Sequence, residues 1–181
     1  MSVLRRIPAS LLFLALTALP GLAREVVVTL DPAKSTVQFT LGDVLHTVHG
    51  TFKIKSGEVR YDPATGKAAG QIVIDVKSGD TGSAARDRRM HKDILESDKY
   101  PEAVFVPDKI APDSVHGTLR IHGADHDVTF ATKVQMQGGD VTASSSFTLP
   151  YVQWGMKNPS NFILRVNPTV DLQMNVTGRN R

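Results

Sequence analysis

Six histidines are the residues of this sequence best suited to hold a metal or move a proton, because imidazole titrates near neutrality and ligates divalent ions. Their spacing excludes most of that chemistry. His46 and His49 lie three apart in an alternating run, so they fall on opposite faces of a strand and cannot chelate together. His116 and His122 share a face, but six residues of strand put roughly 20 Å between them. His122 and His126 flank a turn and can approach each other. No His-Glu-x-x-His or comparably tight ligand spacing occurs. The absence of cysteine excludes a thiolate metal site, a cysteine nucleophile and a disulfide scaffold.

Nucleophilic chemistry fares no better. No serine stands in a Gly-x-Ser-x-Gly elbow, and the alternation around Ser144-Ser145-Ser146 accounts for it as a strand interior. Asp87 and His91, four apart at helical spacing, can pair as ordinary helix stabilisation. No glycine-rich phosphate loop precedes a helix. Thr81-Gly82-Ser83 opens a helix with free N–H groups, and Arg86 follows within a turn, an arrangement able to hold an anionic head group. Arg86, Arg88, Arg89, His91 and Lys92 form the one basic concentration, with Asp87 and Asp93 mixed in and no interleaved aromatics. That argues against a nucleic-acid groove and fits a solvated helix face.

The elements around these residues are almost all strands. From Glu25 onward apolar residues recur at every second position, with Val37, Phe39 and Leu41 on one face and Val48, Gly50, Phe52 and Ile54 on another. Ile72, Ile74 and Val76 mark a strand, and Ala103 to Ile110 another, bent or edged by Pro107. Three runs joined by short turns then carry Val115, Gly117, Leu119 and Ile121; Val128, Phe130, Thr132, Val134 and Met136; and Val141, Ala143, Ser145, Phe147 and Leu149. After a loop at Pro150–Asn161, a last run alternates from Val166 to Val176. Between Thr81 and Pro101 alone the spacing turns helical, with Met90 and Ile94 four apart. That helix is either a plug or lid on a barrel mouth or the cover of a sheet edge.

Eight or nine strands with hairpin connections read as an up-and-down antiparallel sheet. Closure into a barrel removes its edges, and a two-layered sandwich is the alternative. Small residues on the apolar faces (Gly50, Gly117, Thr132, Ala143, Ser145) leave space in a hollow barrel or receive large neighbours in a solid sandwich. A barrel embedded in a membrane is set aside, because the second face carries Thr, Lys, His, Arg, Gln and Asp, and aromatics make up 6% of the chain.

The 181 residues suit one domain. Met1-Ser2-Val3-Leu4-Arg5-Arg6, an apolar run from Ile7 to Leu19, and small residues at Gly21 and Ala23 have the layout of a cleavable secretory signal. The expected organisation is therefore a signal peptide at 1–23 and a mature domain at 24–181 located in a bacterial periplasm. The formal charge of +3 becomes +1 without Arg5 and Arg6, since 21 basic residues less two leave 19 against 18 acidic ones.

An early Ser35-Thr36-Val37-Gln38-Phe39 strand precedes His49-Gly50-Thr51-Phe52. Asp80-Thr81-Gly82 leads to Ala85-Arg86-Asp87, and Tyr100-Pro101 precedes Phe105. Gly117-Thr118-Leu119 runs into Ile121-His122-Gly123. In this order and spacing the segments resemble the YceI-like family of bacterial periplasmic proteins, from about Leu30 to Val176. The resemblance implies an up-and-down antiparallel eight-stranded lipocalin-like barrel with one short helical insertion at about 83–95. It also implies a long apolar ligand (polyisoprenoid, isoprenoid quinone or fatty-acid derivative) and no catalytic residues. The chain departs from the family where Arg89-Met90, Ile94-Leu95 and Tyr151-Val152-Gln153-Trp154-Gly155 stand; the last lacks the charged pair usual there.

The leading expectation is a non-catalytic carrier of an isoprenoid-type lipid, with no cofactor beyond that lipid and no nucleic-acid partner. Each buried methylene contributes about 0.8 kcal/mol, so a long chain needs no specific polar contact. The expected ligand-binding residues are Phe39, Phe52, Ile54, Ile72, Ile74, Phe105, Leu119, Phe130 and Phe147, with Met90, Ile94 and Trp154 closing the ends and Arg86 at the head group. Trp154 lines the mouth or plugs the barrel end. Parity sets which residues share a face, not which face is inside. A lipid-modifying enzyme would need a polar dyad in the lumen, and alternation offers none. The other alternative is a filled interaction module acting with a membrane redox partner. The oligomeric state is open, a dimer included.

Overall fold

The computed structural model describes residues 25–42, 46–162 and 165–181. The chain forms strands β1 (Val26–Leu30), β2 (Thr36–Gly42), β3 (Thr47–Tyr61) and β4 (Ala68–Asp80), then a helix α1 (Ala84–Arg89) that widens into a π-turn at Met90–Ile94. Strands β5 (Glu102–Ile110), β6 (Ser114–Ile121), β7 (Ala124–Gln137), β8 (Asp140–Leu149) and β9 (Val170–Asn180) follow. The proposed signal at 1–23 lies outside the described residues.

Each strand from β2 to β9 pairs antiparallel with the next, and β9 returns to β2 through Thr36↔Asn175 to Thr40↔Asp171. The sheet is a closed up-and-down barrel, the fold that the family resemblance implied, and not the sandwich that the alternation by itself left open. Nine strands make eight staves, because β1 and β2 share one position. β1 pairs β3 at Val26↔Tyr61 and β9 at Leu30↔Gly178, while β2 pairs β3 from Thr36↔Lys53. The break between them is local chemistry. Asp31 caps a short 3₁₀ turn at Pro32–Lys34 by accepting from Ala33 N–H, and buried Ser35 receives Thr177 N–H at 3.0 Å. Pro107 is fully buried in β5, and the ladder to β6 slips beside it, between Pro107 and Lys109. A bulge is where a barrel strand tolerates a missing donor.

The interior is filled unevenly. Val28, Leu30 and Val141 form one small cluster with Val176 and Ile72 packed on it. Phe105, Leu119, Val128, Phe130 and Leu149 form the larger one, which Tyr151 and Met156 join from the late loop. Phe130 bridges Phe105 and Phe147 at centroid distances of 4.8 and 5.0 Å. Thr132 and Ser145, partners across the β7–β8 ladder, meet at 2.8 Å through their hydroxyls, which satisfies both.

One expected apolar row ends early. Val128, Phe130 and Thr132 are buried, but Val134 and Met136 are 41% and 48% exposed. β6 pairs β7 no further than Ser114↔Ala131, whereas β7 and β8 continue together to Gln137↔Asp140. Their shared hairpin overshoots the barrel rim, so parity no longer implies burial there.

Candidate functional site: an apolar cavity under the helical plug

α1 and its π-turn cross the open end of the barrel. Several contacts fasten them. Asp87 accepts from the backbone N–H of Thr81 at 3.0 Å and from its hydroxyl, and Arg86 donates back to the Thr81 hydroxyl and carbonyl at 2.8 and 2.9 Å. Ser83 occupies the N-cap without a side-chain bond. His91 Nε2 lies 2.9 Å from the Gly79 carbonyl, so that nitrogen carries the proton. Asp87 and His91 therefore bind separate partners rather than each other. At the far end, His122 Nε2 meets Glu96 Oε2 at 2.9 Å, and its ring lies tilted against Tyr100 at a centroid distance of 4.6 Å. The plug is tied to β4, to the segment before β5 and to the β6–β7 hairpin.

Beneath it lies an apolar cavity of about 130 Å³ that opens at the barrel mouth. Val37, Phe39 and Leu41 of β2, Phe52 of β3, Ile74 and Val76 of β4, and Ala103 of β5 line one side. Leu119 and Ile121 of β6, Leu149 of β8, and Val170 and Leu172 of β9 line the other. Met90, Ile94 and Leu95 come from the plug, and Tyr151, Met156 and Pro159 from the late loop. Tyr151 is the one polar side chain among the described lining residues, and its hydroxyl donates to the Asn167 carbonyl at 2.8 Å. Burial pushes the Tyr151 hydroxyl pKa up, so it stays neutral. The chemistry this described lining offers a ligand is apolar surface shielded from water.

Of the residues expected from sequence to bind ligand, Phe39, Phe52, Ile74, Met90, Ile94 and Leu119 line this cavity. The others stand elsewhere. Ile54 is buried in the wall, and Ile72 packs between the two interior clusters. Phe105, Phe130 and Phe147 spend their faces on one another. Trp154 stacks flat on His126 at 3.9 Å and leans on Phe147, packed against the larger interior cluster and not among the residues that line the cavity. Arg86 is turned to Thr81 and does not line the cavity. The room expected near Ala143 and Ser145 is also absent from the cavity wall. Ala143 pairs Val134 and Val176 toward the other rim, and Ser145 is taken by Thr132.

Val37, Leu41, Val76, Val170 and Leu172 share the parity of residues already singled out, and two-residue steps find them. Tyr151, Met156 and Pro159 have no such signal, since they come from an aperiodic loop. The histidines gather no metal set. Among the described residues no group of three or more histidine, aspartate or glutamate side chains is placed to hold a metal ion. His116 instead bridges two carboxylates on the outer wall, Asp108 at 2.6 Å from Nδ1 and Asp127 at 3.0 Å from Nε2.

Known proteins share this architecture. The family model described as YceI-like domain matches residues 28–178. A UPF0312 protein of Pseudomonas putida is 31% identical over 147 residues, which cover 72% of this chain and 73% of the relative. The crystal structure of BcnA from Burkholderia cenocepacia is similar at a TM-score of 0.71 and 26% identity, over 82% of this chain and 98% of that one. A polyisoprenoid binding domain from Saccharophagus degradans, implicated in plant cell wall breakdown, has the same fold at a TM-score of 0.65 and 16% identity, over 85% of this chain and 98% of that domain.

Proposed function

The chain belongs to the YceI-like family, and on that premise we propose that it is a non-catalytic carrier of a long apolar ligand, a polyisoprenoid or an isoprenoid quinone. The observation that carries this reading is the continuous apolar lining of the cavity between the plug and the late loop. The shared fold of a polyisoprenoid binding domain supports the ligand class. About 0.8 kcal/mol per buried methylene gives a prenyl chain ample affinity in such a lining. The hydroxyl of Tyr151 is already committed to Asn167, so recognition rests on shape and hydrophobicity. The basic start, apolar run and small residues of 1–23 support export, with the carrier acting in the periplasm.

Mass spectrometry of an organic extract from protein purified without detergent tests the reading. A prenyl-chain compound in stoichiometric amount is the expected result. Protein that carries none, and takes up none from a solution of short prenols, would overturn the carrier in favour of a filled interaction module acting with a membrane partner.

A further inference from the structure

The barrel end that holds the cavity also carries the most unusual exposed side chain. Phe162 is fully exposed, and it stands three residues beyond Pro159, which lines the cavity. Arg89 Nη2 donates to the Pro159 carbonyl at 3.4 Å, so the helical plug and this loop lie side by side. Arg88 and Lys92 of the plug and Lys157 and Arg165 of the loop are exposed, and none of the four has a carboxylate partner among the described residues. Of the two carboxylates on the plug, Asp87 is occupied by Thr81, and Asp93 remains exposed. The plug and the adjoining loop thus carry an uncovered aromatic ring and four exposed cations without carboxylate partners among the described residues, on segments that also line the apolar cavity.

We propose that this end of the barrel docks on an anionic lipid bilayer, with Phe162 entering the acyl boundary and the four cations facing lipid phosphates. Aromatic side chains partition to that boundary and unpaired Lys and Arg are drawn to an anionic leaflet. The inference rests on the carrier reading and adds where loading occurs. An apolar chain moving between bilayer and cavity at such a contact never exposes its length to water.

Sedimentation with vesicles tests it. The wild-type chain is expected to bind vesicles of phosphatidylcholine mixed with phosphatidylglycerol and to release as salt rises. On phosphatidylcholine alone it should bind much less. Phe162→Ser, and separately the pair Arg88→Glu with Lys92→Glu, should each weaken binding about tenfold or more. Melting of the variants should stay near wild type, since all three side chains are exposed. Uptake of a fluorescent prenol delivered from cyclodextrin, without vesicles, should be unchanged in the variants, which separates docking from the cavity itself. Absent vesicle binding, equal binding to both compositions, or variants that bind like wild type would each overturn docking while leaving prenol uptake to judge the carrier.

Discussion

Phe39 lies on the backbone of Gly50, its partner across the β2–β3 ladder, so closely that a Cβ at position 50 would overlap its ring. The same ring meets Phe52 at a centroid distance of 5.3 Å, and both line the cavity. A glycine in mid-strand costs conformational entropy; here it lets one aromatic lie flat against the wall and leaves the lumen open.

Gly50→Ala should therefore act on both stability and binding. The methyl would also stand 2.7 Å from the Asp80 carbonyl, a backbone atom at the start of the plug segment. Overpacking of this kind costs about 1–3 kcal/mol. Urea unfolding should show that loss, with weaker prenol uptake as Phe39 tips into the cavity. Native stability in the variant would mean that the wall yields without strain.

Filling the cavity should block uptake with little loss of fold. Ala103 is buried on β5 and lines the space, whereas Ala143 does not. Ala103→Phe is expected to melt near wild type in the ligand-free form and to lose prenol uptake. Ala143→Phe should show the reverse, retained uptake with about 1–3 kcal/mol lost to overpacking. If the two variants behave alike, the cavity wall is misassigned.

The plug closes the cavity with apolar side chains, so charge there should open it. Met90→Asp with Ile94→Asp places two carboxylates against the lining, at a cost of several kcal/mol if the plug stays seated. Release of a bound fluorescent prenol should speed up at least tenfold, while the barrel strands stay protected from hydrogen exchange. Unchanged release would show that ligand leaves by another route.

Two histidines should titrate on opposite sides of the ordinary imidazole value. Hydrogen bonds that the ring donates to Asp108 and then to Asp127 hold the His116 pKa up. Its stabilising pairing is complete below the unfolded pKa of about 6.5 and is lost as pH rises through the higher folded value. Burial against Trp154 lowers the His126 pKa. Its contribution is present above the unfolded pKa and is lost as pH falls through the lower folded value. NMR titration of the ring protons should order them His116 above His126, and Asp108→Asn with Asp127→Asn should bring His116 back toward the ordinary value.

Alternation alone assigned Val37, Phe39 and Leu41 to one face and Thr36, Gln38 and Thr40 to the other, because successive side chains of a strand point to opposite sides. The switch to helical spacing at Met90 and Ile94 marked the plug, and the aperiodic stretch after Pro150 marked the long loop. These are local properties, and sequence states them directly. Height along the barrel axis is not local. Phe52 and Ile54 share a face two residues apart, yet one lines the cavity and the other is sealed in the wall. The same division separates Leu119, at the cavity, from Phe105, its partner in the β5–β6 ladder. Stagger between staves and the bulge at Pro107 decide which inward residue meets space and which meets another ring. Only the closed barrel could bring Tyr151, Met156 and Pro159 over the lumen, since the position of an aperiodic loop follows from what it packs against and not from its own spacing.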